Sequence, residues 1–229
     1  MGDFGGYRNI VVLTGAGISQ AAGLPTYRGP GGLWNDPSKI ALSNVEALRT
    51  RRDEACAMFW QLYSSARDVK PTGAHRALAA FEERLPAHAN FLLITQNVDG
   101  LHQAAGSKRV CELHGSLARW RCFECGAEQN LPTEPTHCGQ PMRPCAVLFG
   151  EEIPAEAEHA AKRALRDCDL FVAIGTSGTV QPAASFVRWA AYAGARRVLL
   201  NLEVDDAARA EFPECHAGKA DDLVERFFA

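Results

Sequence analysis

Apolar residues along this chain fall into two patterns. Short runs at 10–13 (Ile-Val-Val-Leu), 91–95 (Phe-Leu-Leu-Ile-Thr), 170–174 (Leu-Phe-Val-Ala-Ile) and 197–202 (Arg-Val-Leu-Leu-Asn-Leu) are almost continuously apolar. Such runs fit strands covered on both faces, the condition met in parallel sheets. Between them, 74–84, 155–166 and 183–193 read as helices, and 155–166 follows Pro154 and is rich in Ala, Glu and Arg. Strand and helix in alternation predict an α/β chain built on a doubly wound parallel sheet.

Two segments break the alternation. Residues 29–72 begin with Gly29-Pro30-Gly31-Gly32 and carry helical but no strand pattern, and 118–146 carry Cys122, Cys125, Cys138 and Cys145. Both are expected to be insertions forming a smaller helical and metal-binding module. The large domain would then comprise 1–28, 73–117 and 147–229.

The bulk numbers narrow the partners. A chain of 229 residues with 47% hydrophobic residues can bury a sizeable core, and a net charge of −3 gives no reason to expect nucleic acid or an anionic membrane as partner. No run approaches the ~20 apolar residues of a membrane span. The first residues, Met1-Gly2-Asp3-Phe4, lack the basic and apolar regions of a signal peptide, so a cytoplasmic protein is expected. Its eight cysteines are then expected to be free or metal-bound rather than paired.

Candidate chemistry gathers where the predicted strands end. Gly15-Ala16-Gly17-Ile18-Ser19 follows the first strand; a glycine turn before a helix N-terminus suits a phosphate, although Gln20 stands where the generic dinucleotide fingerprint has its third glycine. Gly175-Thr176-Ser177 follows the third strand, and Asn201 and Glu203 close the fourth. An acidic residue there often holds ribose hydroxyls. The strings Gln96-Asn97-Val98-Asp99-Gly100-Leu101-His102 and Glu112-Leu113-His114-Gly115-Ser116-Leu117 add polar groups able to grip a sugar, a carboxamide or a proton. Cys122-Phe123-Glu124-Cys125 is a CxxC pair suited to zinc, with Cys138 a third ligand and either His137 or Cys145 a fourth.

Taken together, GAGIS at 15–19, GLPTYRG at 23–29, QNVDGLH at 96–102, ELHGSL at 112–117, FGE at 149–151, GTS at 175–177, NLE at 201–203 and GKA at 218–220 resemble the sirtuin family of NAD-dependent protein-lysine deacylases. The resemblance implies a Rossmann-like domain binding NAD as cosubstrate, a small domain with a structural zinc, and an acyl-lysine protein or peptide as substrate. It implies that the acyl oxygen attacks the nicotinamide ribose, that nicotinamide leaves, and that His114 then acts as general base, with Asn97 orienting the ribose hydroxyls. An imidazole suits that task because its ordinary pKa lies near neutrality.

The same matching puts Asp99 on the nicotinamide carboxamide. It puts Gly15, Ala16, Gly17, Ser19, Pro25, Tyr27 and Arg28 around the cosubstrate, with Gln96, Gly175, Thr176 and Ser177. Asn201, Leu202, Glu203, Lys219 and Ala220 fall at the adenosine end. Val147, Leu148, Phe149 and Gly150 would offer a backbone edge to the substrate peptide. Trp60 and Tyr63 stand where relatives that take succinyl or malonyl groups have Tyr and Arg, so neutral acyl groups are expected, because a carboxylate in an apolar tunnel needs a paired cation. The family's third zinc cysteine aligns with Pro135, leaving Cys122, Cys125 and Cys138 as the assigned ligands. Alternatives on the same fold are a mono-ADP-ribosyltransferase and a non-catalytic NAD or ADP-ribose sensor.

Overall fold

The computed structural model describes residues 4–27, 31–178 and 180–229. Its strands are β1 (Asn9–Thr14), β2 (Asn90–Thr95), β3 (Val110–Glu112), β4 (Gly115–Cys122), β5 (Glu128–Asn130), β6 (Thr136–His137), β7 (Gln140–Ala146), β8 (Leu170–Ile174), β9 (Arg196–Asn201) and β10 (Glu214–Ala217). Its helices are α1 (Pro37–Leu42), α2 (Val45–Thr50), α3 (Arg52–Ala66), α4 (Gly73–Arg84), α5 (Leu101–Ala104), α6 (Ala155–Arg166), α7 (Ala183–Tyr192), α8 (Asp206–Glu211) and α9 (Ala220–Phe228). A 3-10 helix, Ala16–Ala22, follows β1 directly.

The large sheet has six strands in the order β10-β9-β8-β1-β2-β3, all parallel. Along the chain the order is that of a doubly wound Rossmann-like sheet, reversing direction between β1 and β8. Alternate residues of β1 feed opposite cores, as the two-residue period of a strand requires. Ile10 and Val12 pack with Leu78, Phe81, Val224 and Phe228 of α4 and α9. Val11 and Leu13 pack with Leu165, Phe186 and Val187 of α6 and α7. The helix ends follow local chemistry: the Thr72 hydroxyl accepts the His75 N–H and caps α4, while Glu156 and Glu158 open α6 and Arg163 and Arg166 close it.

Helices α1 to α3 pack on a small antiparallel sheet, β5-β4-β7-β6. Its core surrounds the fully buried Trp120, with Leu48, Phe59 and Met142. The expected strands and helices all form, within a residue or two at their ends. β9 closes at Asn201 rather than at Leu202, which is 53% exposed and has left the sheet. β3, β10 and the small sheet were not anticipated: β3 and β10 are short, β5 (Glu-Gln-Asn) and β6 (Thr-His) are short and polar, and the longer β4 and β7 carry mixed strings, Gly-Ser-Leu-Ala-Arg-Trp-Arg-Cys and Gln-Pro-Met-Arg-Pro-Cys-Ala.

Candidate functional site

The reversal point of the sheet is where ligands bind in open α/β folds, and here it is closed by three interlocked glycines. The Gly15 N–H donates to Ile174 O at 3.0 Å and the Gly17 N–H to Gly175 O at 3.0 Å. A Cβ on Gly15 or Gly17 would come within 2.7 Å of Gly175, and one on Gly175 within 2.7 Å of the Ile18 nitrogen. Gly175 also has φ +58, which disfavours any side chain. The glycines therefore serve first to bring the loops after β1 and β8 into contact, and the resulting groove is the one where the sequence led us to expect a phosphate.

A polar network crosses the floor of this groove. The Asn97 amide donates to Gly15 O at 3.1 Å and to the Ser19 hydroxyl at 3.3 Å; the Ser19 hydroxyl donates to Asp99 Oδ2 at 2.7 Å. Asp99 also accepts the Leu101 N–H at 3.0 Å, fixing both of its oxygens. The Gln96 amide donates to the Thr176 hydroxyl at 2.9 Å, and the Asn201 amide to Thr176 O at 3.2 Å. Asn97 is buried, and its Oδ1 has no hydrogen-bond partner among the described residues. A buried amide oxygen left this way is poised for an external donor, and a ribose hydroxyl fits it.

His114 stands on the turn between β3 and β4, half-buried, with Nδ1 3.1 Å from Gln96 O. Burial lowers its pKa below the usual 6.5, with the Gln96 contact opposing. A small cavity of about 80 Å³ is lined by Ala16, Ser19, Pro25, Tyr27, Asn97 and Asp99, together with Val98, Leu117 and the α3 residues Leu62, Ser65 and Ala66. Burial, with Asp99 adding, pushes the Tyr27 hydroxyl well above its ordinary value, so it stays protonated. Asn201 also accepts the Gly218 N–H through its carbonyl, which brings the β10–α9 turn with Lys219 and Ala220 beside the groove. Leu202 and Glu203 are exposed at its rim, and Ser177 is exposed on the β8 loop. Arg28 lies outside the described residues.

On the proposed peptide edge, the Val147 N–H already donates to His114 O, the Phe149 N–H to Ser43 O, and Phe149 O accepts the Val45 N–H, each at 2.9 Å. Leu148 is buried in the small module, and Gly150 follows at the exposed end of this segment. Trp60 and Tyr63 lie on another face of α3 from the cavity-lining residues. Tyr63 is buried in the small core, its hydroxyl donating to Pro132 O at 3.2 Å, and Trp60 meets Trp120 edge-on at 5.2 Å.

Sequence reasoning quoted His102 within its string but did not single out the layer it forms with His75 beneath the groove. His75 and His102 are buried there with ring centroids 4.6 Å apart. His102 Nε2 is 2.9 Å from the Thr14 hydroxyl, and His75 Nδ1 is 2.8 Å from that of Thr72, which in turn donates to Ile18 O. The available signal was a threonine three residues before a histidine at a helix start.

The cysteine cluster selects its own fourth member. The ligand atoms of Cys122, Cys125, His137 and Cys138 all lie within 4.8 Å of one another. The Cys122–Cys138 and Cys138–Cys125 sulfur separations are 3.6 and 3.8 Å, and Cys125 Sγ is 3.3 Å from His137 Nδ1. A tetrahedral zinc with ~2.3 Å bonds to sulfur sets its ligand sulfurs about 3.8 Å apart, so the donors fit that ion. Cys138 has φ +46 and Gly139 φ +74, a left-handed turn that lets consecutive residues aim at one point. The backbone N–H groups of Cys125 and Glu124 lower the Cys122 thiol, while the neighbouring Cys138, hydrogen-bonded to Cys122, is raised, so the proton is kept on Cys138 within the pair. Cys145 pairs across the small sheet with Ser116 and is not in the cluster.

The chain as a whole is similar to known proteins. An NAD-dependent protein deacylase of Pasteurella multocida (strain Pm70) is 42% identical over 236 residues, covering 96% of each chain. One of Aquifex aeolicus (strain VF5) is 42% identical over 207 residues, 85% of this chain and 84% of that one. A mutant Sir2 homologue in complex with ADP-ribose superposes with a TM-score of 0.89 at 31% identity, covering 100% of this chain and 95% of that one. The Sir2 family pattern itself spans residues 15–182, from the glycine cradle to the start of α7, and with relatives this similar over most of their length the chain belongs to the Sir2 family.

Proposed function

We infer that this protein removes acyl groups from lysine side chains of proteins or peptides, with NAD as the cosubstrate that loses nicotinamide and receives the acyl group on its ADP-ribose part. The observation that carries the reading is Asn97: buried, fastened to Gly15 and Ser19, and left with an Oδ1 that has no partner among the described residues. Asn97 would orient a ribose hydroxyl. Asp99, held by Ser19 and the Leu101 N–H, would meet the nicotinamide carboxamide.

His114 is assigned the general base. Its Nδ1 proton is donated to Gln96 O, which leaves the Nε2 lone pair to take a proton from a ribose hydroxyl. Gly15, Ala16, Gly17, Thr176 and Ser177 would hold phosphate and ribose, with Arg28. Asn201, Leu202, Glu203, Lys219 and Ala220 would surround the adenosine end. Cys122, Cys125, His137 and Cys138 would hold a structural zinc, whose role is to close the small module rather than to touch substrate. The peptide would lie along 147–150, entering between the large domain and the insertions 29–72 and 118–146. Three thiols grouped for a metal accord with a cytoplasmic setting.

Incubation with NAD and an acetyl-lysine peptide, followed by mass spectrometry, tests the reading. Free lysine peptide, nicotinamide and acetylated ADP-ribose are expected. A peptide that keeps its acetyl group while ADP-ribose appears on protein would replace this reading with ADP-ribosyl transfer.

A further inference from the structure

The cysteine-bearing insertion is entered along β4 and left along β7, and the chain leaving β7 runs directly into the segment 147–150. Arg143, a residue of β7, ties this exit to itself. Its Nη1 and Nη2 donate to the two carboxylate oxygens of Glu151, at 2.5 and 2.8 Å. Nη2 also donates to Ala146 O and Nε to Pro144 O, each at 3.2 Å. Glu151 binds back from the other end. Its Oε2 accepts the Leu148 N–H at 2.9 Å, and its own N–H donates to Leu148 O at 3.0 Å.

The two side chains are only 11% and 21% exposed. Burial by itself would raise the Glu151 carboxyl, but the Arg143 guanidinium and the Leu148 N–H outweigh it and hold the group below the usual carboxylate range. The pair is therefore ionised at neutral pH. A planar fork that meets both carboxylate oxygens is strong and directional. The forked pair Arg51–Glu54, in the same module, is 45% and 59% exposed, a setting in which ion pairs contribute little.

We propose that Arg143 and Glu151 are positioning residues for the peptide substrate, holding 147–150 as a preformed edge without touching the reacting atoms. The proposal rests on the deacylase reading above and deepens its peptide site. Val147 and Phe149 are fastened from outside the segment, by His114 O and by Ser43 O. Leu148, between them, has both of its main-chain groups bound by Glu151. Val147 O and the Gly150 N–H take part in none of these bonds, and an added strand would meet them. An edge already in place lowers the ordering cost of binding, so loss of the pair should appear in the KM for peptide. The His114 ring is held separately by Gln96 O, and Asn97 by Gly15 and Ser19, so kcat and the KM for NAD should not follow.

The test measures kcat and both KM values, with NAD and one acetyl-lysine peptide, for the wild type, Arg143→Lys, Glu151→Gln and the two combined. Zinc content and thermal midpoint are read alongside, and Glu54→Gln is the control. Arg143→Lys keeps the charge but cannot reach two carboxylate oxygens and two carbonyls at once, whereas Glu151→Gln keeps the shape and loses the charge. Each should raise the KM for peptide by about tenfold, the worth of a charge-assisted hydrogen bond. kcat and the KM for NAD should stay within about twofold. The combined variant should be no worse than the worse single one, because the residues act as a pair, and Glu54→Gln should behave as wild type. An unchanged KM for peptide in either single variant would overturn the proposal and leave the deacylase reading standing. Parallel rises in both KM values with a fallen thermal midpoint, or a Glu151→Gln chain that does not fold, would also overturn it, since the pair would then only support the structure. A wild type that consumes no NAD with the peptide would remove the deacylase reading and the proposal with it.

Discussion

His114 Nδ1 lies 3.1 Å from the carbonyl oxygen of Gln96. A carbonyl only accepts, so the neutral ring carries its proton on Nδ1 and keeps its basic lone pair on Nε2. With burial holding the pKa below 6.5, the ring is a free base at neutral pH. The kcat/KM profile should be level around neutrality and fall only below pH 6.5. His114→Ala should lose ~10²–10⁴-fold in kcat while still binding NAD. Near-normal turnover at saturating substrate, or an acid limb centred above 6.5, would contradict the assignment.

The interlocked glycines predict a joint loss of stability and cosubstrate binding. Gly175→Ala faces both φ +58 and a 2.7 Å approach to the Ile18 nitrogen. It should destabilise by about 1–3 kcal/mol and raise the KM for NAD. Gly6→Ala, where a Cβ meets nothing within 4 Å, serves as the control. Urea midpoints and NAD titrations of the two variants separate these outcomes.

Zinc should be found at about one ion per chain by elemental analysis, as expected for a single four-ligand site. His137→Ala should surrender it to a chelator more readily than the wild type, and Cys145→Ser should not. On chelation, amide exchange should quicken in 118–146 before it does in the large sheet. A folded, active and metal-free preparation would refute the site.

Acid should weaken the fold through His75 and His102. Burial lowers the pKa of both, that of His102 strongly, from an ordinary 6.5. As pH falls through 6.5, the unfolded chain gains protons that the native rings refuse. Stability should therefore decline below pH 6.5, by up to ~1.4 kcal/mol per pH unit for each histidine, until the native rings themselves titrate. Urea midpoints at pH 7.5, 6.5 and 5.5 measure this. His102→Gln should flatten the slope, and an unchanged slope would exclude the pair as its source.

The acyl preference should exclude dicarboxylate groups. Tyr63 is committed to Pro132 O and the small core, and the face of α3 that lines the inner cavity carries Leu62, Ser65 and Ala66. Succinyl-lysine should be a poorer substrate than acetyl-lysine on the same peptide, as read by kcat/KM.

The strands of the large sheet were legible because burial on both faces leaves a continuous apolar run, as at Val11 and Val172. β10 escaped because its Glu-Cys-His-Ala string lies at the sheet edge and is half polar. The strand-end clusters were legible as local strings, whereas their connections were not: the Gln96–Thr176 bond joins residues 80 positions apart. His137 stayed ambiguous with Cys145 because the left-handed turn at Cys138 decides between them, and a single cysteine does not announce that backbone. Trp60 and Tyr63 were placed by alignment, but which face of α3 meets the inner cavity depends on how the helix is docked by Trp120.

Gly15 and Gly17 follow the first strand of the sheet; Gly175 follows the first strand of its second half, beyond the small module. The halves of the Rossmann-like sheet are therefore stitched together at the very loops that line the groove. Closing the seam between the halves therefore also shapes the groove. A mutational survey should accordingly find no neutral drift at these three positions: selection for a foldable protein and selection for a working one act there on the same atoms.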